Sequence, residues 1–177
     1  MSDLARKICL VGDFSVGKTS LIRRFVDGQF SDEYLSTVGV KLSRKVAKLP
    51  QPTAAGVTDV ELLIWDIEGQ TQFKAIAPSY LQGSKGAIIV ADVKRPETVK
   101  HLHDHLDLFF SVNKTGSIII AFNKVDLLSA AQLTELQAEY SFRDRPQVIA
   151  TYTTSAKTGD NVNRIFQELA ADMIKVS

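Results

Sequence analysis

The sequence predicts an α/β protein: a doubly wound domain with a six-stranded, mainly parallel sheet, one antiparallel edge strand and helices on both faces. Three observations predict it. Apolar runs at residues 8–11, 87–91, 118–122 and 148–152 are continuous rather than alternating, as strands covered on both faces require. Between them apolar residues recur at helical spacing, as in Val99, Leu102, Leu106 and Phe109. From residue 40 to 67, two strand-like segments flank Pro50, Pro52 and Gly56, which reads as a hairpin and supplies the antiparallel pair.

A length of 177 residues and 45% hydrophobic content suit a single domain over residues 1–177. Lys and Arg number 21 against 20 for Asp and Glu, a net charge of +1, so no global electrostatic case exists for binding nucleic acid. Any anion preference must be local. Cys9, the single cysteine, falls within the first strand and reads as a small buried hydrophobe in a protein of a reducing compartment. No apolar run approaches a membrane span, residues 1–3 lack signal-peptide organisation, and residues 173–177 contain no cysteine for prenylation. A monomeric, cytoplasmic protein with no lipid anchor in this chain is expected, peripheral to a membrane only through partners or a longer tail.

In chain order, the strand at 8–11 runs into GDFSVGKT and then a helix from about Ser20 to Asp27, carrying Leu21, Ile22, Phe25 and Val26 on one stripe and stopped by Gly28. Residues 29–39 show no sustained period and read as a surface loop. Val40, Leu42 and Val46 alternate with Lys41, Ser43 and Lys45, the pattern of a half-buried strand near a sheet edge, where lysines discourage pairing with other chains. Its partner is 60–67. Later helices carry the stripes Leu133, Leu136 and Tyr140, and Val162, Phe166, Leu169 and Met173.

GDFSVGKT, Gly12 to Thr19, matches G-x-x-x-x-G-K-[ST] between a strand and a helix start, the context that a phosphate-binding loop requires. Gly12 and Gly17 let the backbone curl so that successive N–H groups face inward, and the helix N-terminus adds partial positive charge. Lys18 is placed to reach outer phosphates and Thr19 to ligate a bridging magnesium ion. A doubly wound sheet binds ligands beyond the carboxyl ends of its strands. Residues just after other strands should therefore carry chemistry, and they read Asp66-Ile67-Glu68-Gly69-Gln70, Asn123-Lys124-Val125-Asp126 and Ser155-Ala156-Lys157.

With GDFSVGKT, YLSTVGV, IWDIEGQ, FNKVDL and TSAK in order, the chain resembles the Ras-like small GTPases, most of all the Rab branch, over essentially its whole length. The resemblance implies a three-layer P-loop GTPase fold that binds GTP or GDP with Mg2+. It assigns the nucleotide to Gly12, Asp13, Phe14, Ser15, Val16, Gly17, Lys18, Thr19 and Ser20, with Phe30 beside the base. Thr19, Thr37 and Asp66 are implied around the metal, Asp66 through water. Gly69 would offer its N–H to the γ-phosphate, and Gln70, with Lys18 and Thr37, would serve hydrolysis. Asp126 would accept two hydrogen bonds from guanine, a donor pair that adenine lacks. Asn123, Lys124, Ser155, Ala156 and Lys157 complete the base site. An exchange factor, a GTPase-activating protein and effectors would read the switch segments Gln29 to Val40 and Gln70 to Tyr80.

Two residues depart from the family pattern. Phe14 stands where a small residue is usual, and its ring either obstructs the γ-phosphate region or turns outward. Glu68 replaces a small residue beside the metal, placing like charge near the phosphates or facing solvent. Three readings follow: a slowly hydrolysing switch, a GTP-binding scaffold with hydrolysis impaired by Phe14 and Glu68, and a phosphate-loop kinase, against which the base motifs argue. Elsewhere, His101 and His105 share a helix face and His103 does not, without a convergent third ligand, so a solvated face is expected rather than a metal site. Trp65 and Tyr80 read as packing, with partner binding the lesser alternative for Trp65. Lys41, Lys45 and Lys48 read as solubilising charges.

Overall fold

The computed structural model describes residues 4–31, 39–67, 69 and 78–175. In order these form β1 (Ala5–Gly12), α1 (Lys18–Asp27), β2 (Val40–Lys48), β3 (Asp59–Ile67), α2 (Pro78–Leu81), β4 (Gly86–Asp92), α3 (Pro96–Lys100), α4 (Leu102–Val112), β5 (Ser117–Asn123), a 3-10 turn (Val125–Leu127), α5 (Ala130–Glu139), β6 (Val148–Thr153) and α6 (Val162–Lys175). The six strands make one sheet in the order β2-β3-β1-β4-β5-β6. Only β2 with β3 is antiparallel, Leu42 lying opposite Trp65, and every other neighbouring pair is parallel. The expected α/β fold with its single antiparallel edge pair is what forms.

Side chains alternate across a strand, so one apolar run feeds two cores. Ile8 and Leu10 of β1 enter a layer with Leu21 and Phe25 of α1 and Phe166 and Leu169 of α6. Cys9 and Val11 enter the opposite layer with Leu102, Leu106 and Phe109 of α4. Burial on both faces is why β1, β4 and β5 read as unbroken hydrophobic sequence. The Cys9 thiol lies 2.9 Å from the Ser84 hydroxyl, and burial pushes its pKa up, which agrees with an inert packed thiol.

Both sheet edges correct the sequence reading. The alternation in β2 is real, but Leu42 and Val46 are 61% and 47% exposed while Ala47 is buried. The covered face is instead Ser43, Lys45 and Ala47, where Lys45 reaches over the Phe25 ring at 5.4 Å and donates to the Val26 carbonyl at 3.3 Å. An amphipathic lysine stem thus replaces the apolar residue the pattern implies. At the other edge, β6 ends the strand order and is not covered on both faces: Ile149 is exposed, and the neighbouring α5 buries no residue fully. The stripe Val99, Leu102, Leu106 and Phe109 is fully buried but spans two helices with a turn at His101. Helix α1 starts at Lys18, two residues before the expected Ser20, because Leu21 N–H already bonds the Gly17 carbonyl at 2.9 Å. In α5 no residue is fully buried, and Leu133, Leu136 and Tyr140 pack only partly against the sheet.

Phe25 and Phe166 stack with centroids 4.1 Å apart and planes 5° from parallel, joining α1 to α6. Truncating this pair should be costly. Phe166→Ala is expected to lower stability by about 3–5 kcal/mol, read as a fall in urea midpoint at unchanged denaturant slope; a loss below about 1 kcal/mol would contradict this packing.

Candidate functional site

The parallel strands β1, β3, β4, β5 and β6 end on one edge of the sheet, which gathers their following residues. The loop after β1 closes into α1 at Gly17, whose φ is +102°. A Cβ there would stand 2.3 Å from the Asn123 amide nitrogen, so glycine is required by both conformation and space. Three successive loop carbonyls are held from outside: Phe14 by Arg95 Nη1 at 2.8 Å, Ser15 by Lys124 Nζ at 3.0 Å and Val16 by Asn123 Nδ2 at 3.0 Å. Because C=O and N–H point oppositely across a planar peptide, the N–H groups of Ser15, Val16 and Gly17 turn to the other side. That arrangement is a nest for an anion. Buried Lys18 folds back over it, its ammonium donating to the Gly12 and Asp13 carbonyls at 2.9 Å each.

The residues around the loop are themselves braced. Lys124, in a left-handed conformation at φ 68°, pairs with buried Asp92 at the end of β4 at 2.9 Å. Asn123 accepts from the Thr154 hydroxyl at 3.0 Å, and Ser155 donates to Asp126 at 2.8 Å while accepting the Thr158 N–H at 3.1 Å. Asp126 is thereby fixed through Oδ1. Ala156 is buried beside them. On the other flank the Thr19 hydroxyl donates to Asp66 Oδ2 at 2.6 Å. Gly69 packs so closely that a Cβ would lie 2.5 Å from the Phe14 nitrogen, so the segment after β3 touches the loop through bare backbone.

Asp13 is held by a device the sequence reading missed. His101 Nδ1 and His105 Nε2 contact its two carboxylate oxygens at 2.5 and 2.8 Å. The expected solvated face is incomplete: His101 and His103 are exposed, but i and i+4 spacing also aims the His101 and His105 rings at one carboxylate distant in sequence. His103 does point elsewhere, its ring 4.9 Å from that of Phe142. These are direct hydrogen bonds, shorter than the separation of roughly 3.3 Å between ligands of one tetrahedral zinc. Among the described residues no group of three or more His, Cys, Asp or Glu can hold a metal ion. Burial would push the Asp13 carboxyl up, but hydrogen bonds from His105 and His101, with the charge of the two rings, together outweigh it and hold the pKa below its ordinary value.

Of the candidate residues, the structure gathers Gly12 to Ser20, Asp66, Gly69, Asn123, Lys124, Asp126, Ser155 and Ala156 along this edge. Lys157 is nearby in sequence but exposed, and half-buried Phe30 packs against the α1–α6 layer. Thr37, Glu68 and Gln70 lie outside the described residues, as does most of each expected switch segment. Trp65 is half-buried with the Lys7 ammonium 3.6 Å from its ring centroid, and Tyr80 is exposed in α2. Asp92 could have been found, since it ends a strand on the predicted edge, and Thr154 opens the TSAK stretch; the spacing of His101 and His105 shows a shared face but not its partner, and Arg95 carries no motif that marks it.

A model of the Ras family matches residues 7–175. The chain belongs to the Ras family. It is 35% identical over 167 residues to human Ras-related protein Rab-36, covering 93% of this chain and 60% of that protein, and equally identical to its mouse counterpart. With human Ras-related protein Rab-22A it shares 33% identity over 165 residues, covering 93% of this chain and 81% of the relative. The chain thus spans about three-fifths of the Rab-36 proteins' length. Among the described residues no helix is long and apolar enough to cross a membrane.

Two outcomes test this geometry without any ligand. Asn123→Ala strands the Val16 carbonyl and the Thr154 hydroxyl, so thermal unfolding should show a loss of about 1–3 kcal/mol; an unchanged midpoint would contradict the bracing. The lowered pKa of Asp13 contributes stability that is present above the unfolded-state value near 3.9 and is lost as pH falls through the folded-state value. Asp13→Asn should therefore remove part of the acid-unfolding transition below about pH 4, measured by circular dichroism.

Proposed function

We propose that residues 1–177 form one guanine-nucleotide-binding domain that hydrolyses GTP slowly to GDP and phosphate and signals through its nucleotide state. The observation that carries this reading is the physical junction between two motifs: Asn123 and Lys124 of the base motif hold the Val16 and Ser15 carbonyls of the phosphate loop. A nucleoside polyphosphate would span that junction. The nest of Ser15, Val16 and Gly17, with Gly12 to Ser20 around it, binds the phosphates, and Lys18 exchanges its backbone partners for phosphate oxygens. Asp126 takes the guanine edge, with Ser155 orienting it and Ala156, Lys157, Lys124 and Phe30 bounding the base.

Thr19 and Asp66 form an oxygen pair suited to a hard cation, and with Thr37 they would hold Mg2+. A metal ion held there would supply positive charge to the phosphates. Gln70 orients the water for in-line attack, while Gly69 and Thr37 exchange contacts as the γ-phosphate is lost, altering the segments Gln29 to Val40 and Gln70 to Tyr80 that an exchange factor, a GTPase-activating protein and effectors read. The domain acts as a cytoplasmic monomer.

Phosphate release from protein preloaded with GTP and magnesium tests the reading. Slow release that falls at least tenfold in Gln70→Leu is the expected result. Tight GTP binding without release, restored by Phe14→Gly, would favour the scaffold instead. In competition binding, Asp126→Ala should lose about a hundredfold of its preference for GTP over ATP.

A further inference from the structure

Nothing in the phosphate-loop motif asks for the three side chains that reach Asp13 and Phe14 from the far side of β4. Arg95, between β4 and α3, donates to the Phe14 carbonyl at 2.8 Å and leans on Glu97 at 3.4 Å. His101 and His105 grip both oxygens of Asp13. The helical segment is anchored in turn: buried Thr98 accepts the Asp92 N–H at 2.9 Å and donates to carbonyls of Asp92 and Arg95, and Leu102, Leu106 and Phe109 are buried against the sheet. A rigid element thus meets the loop at two adjacent residues, next to the point where Gly69 backbone abuts them.

We propose that Arg95, His101 and His105 are positioning residues for the phosphate loop, and that the histidine clamp on Asp13 makes retention of bound nucleotide depend on pH. The inference rests on the nucleotide-binding reading above. A neutral imidazole donates to Asp13 only in one tautomer, Nδ1–H at His101 and Nε2–H at His105; the protonated ring donates from either nitrogen and adds charge to the bond. Histidine gains that charge between pH 8 and 5. The other charged groups that meet this junction are Lys18 on the Asp13 carbonyl, Arg95 on the Phe14 carbonyl, Glu97 on Arg95 and Lys124 on the Ser15 carbonyl. Protonation therefore tightens the Asp13 anchor and adds positive charge behind a loop that would hold phosphates, two effects of one sign. Raising the pH reverses both.

The test is the release rate of a fluorescent GDP analogue from magnesium-loaded protein between pH 6 and pH 8. Wild type should release it roughly tenfold faster at pH 8 than at pH 6. His101→Gln/His105→Gln keeps amide donors but cannot titrate, so its release should be flat across that range. His101→Leu/His105→Leu removes the donors and should release quickly at both values, whereas Arg95→Leu should release faster than wild type at each pH while keeping the pH dependence, with Arg95→Lys restoring part of the hold. A pH-independent wild type, or a glutamine variant with the wild-type profile, overturns the clamp while leaving nucleotide binding intact. Failure of wild type to retain the analogue at either pH overturns the nucleotide reading and the clamp's role with it.

Discussion

A backbone loop that turns successive N–H groups to one side must find partners for its carbonyls on the other, because each planar peptide presents the two in opposite directions. In this protein the partners are side chains from other strand ends. Phe14, Ser15 and Val16 give their carbonyls to Arg95, Lys124 and Asn123, which follow or end β4 and β5. Those strands lie beside β1 in the order β1-β4-β5, all parallel, so their ends arrive next to the loop. The cradle is consequently a property of the sheet rather than of eight consecutive residues. Disturbing the strand order would leave the loop's carbonyls to water and its curl without support.

The charge distribution follows from the same requirement. A chain of net charge +1 concentrates Lys18, Arg95 and Lys124 around one loop. Carboxylates stand immediately behind them: Asp92 pairs with Lys124, Glu97 with Arg95, and Asp13 lies between two histidines. Cations pinned in this way are already oriented before any anion arrives, which reduces the ordering that binding must impose. Close packing does the rest. Gly17 against Asn123 and Gly69 against Phe14 leave no room for a methyl group, so the three strand-end segments touch through backbone and amide.

Much of this was legible from the chain alone. Continuous apolar runs identified β1, β4 and β5 because alternate residues feed two cores, and the Gly-Lys-Thr, Asn-Lys-x-Asp and Ser-Ala-Lys stretches fell on the strand ends where an α/β sheet collects its ligands. Local pattern failed at the edges. The alternation in β2 shows a period but not which set is covered, and Lys45 rather than Leu42 faces the helices because Phe25 and the Val26 carbonyl give its stem and ammonium somewhere to go. Strand β6 has an apolar run like its neighbours, yet at the end of the order its helix cover is incomplete and Ile149 is exposed.

The sequence by itself determined the fold class, the family and the residues whose chemistry is written in short motifs, since those depend on spacing within one turn or one strand end. Tertiary structure alone decided what braces them. His101 and His105 looked like a solvated helix face because helical periodicity says which residues share a side and nothing about what that side meets; the carboxylate they hold lies 88 residues before His101. Arg95 was silent for the same reason. A hydrogen bond between distant strand ends leaves no periodic trace, and its partners become neighbours only when the order of the sheet places them side by side.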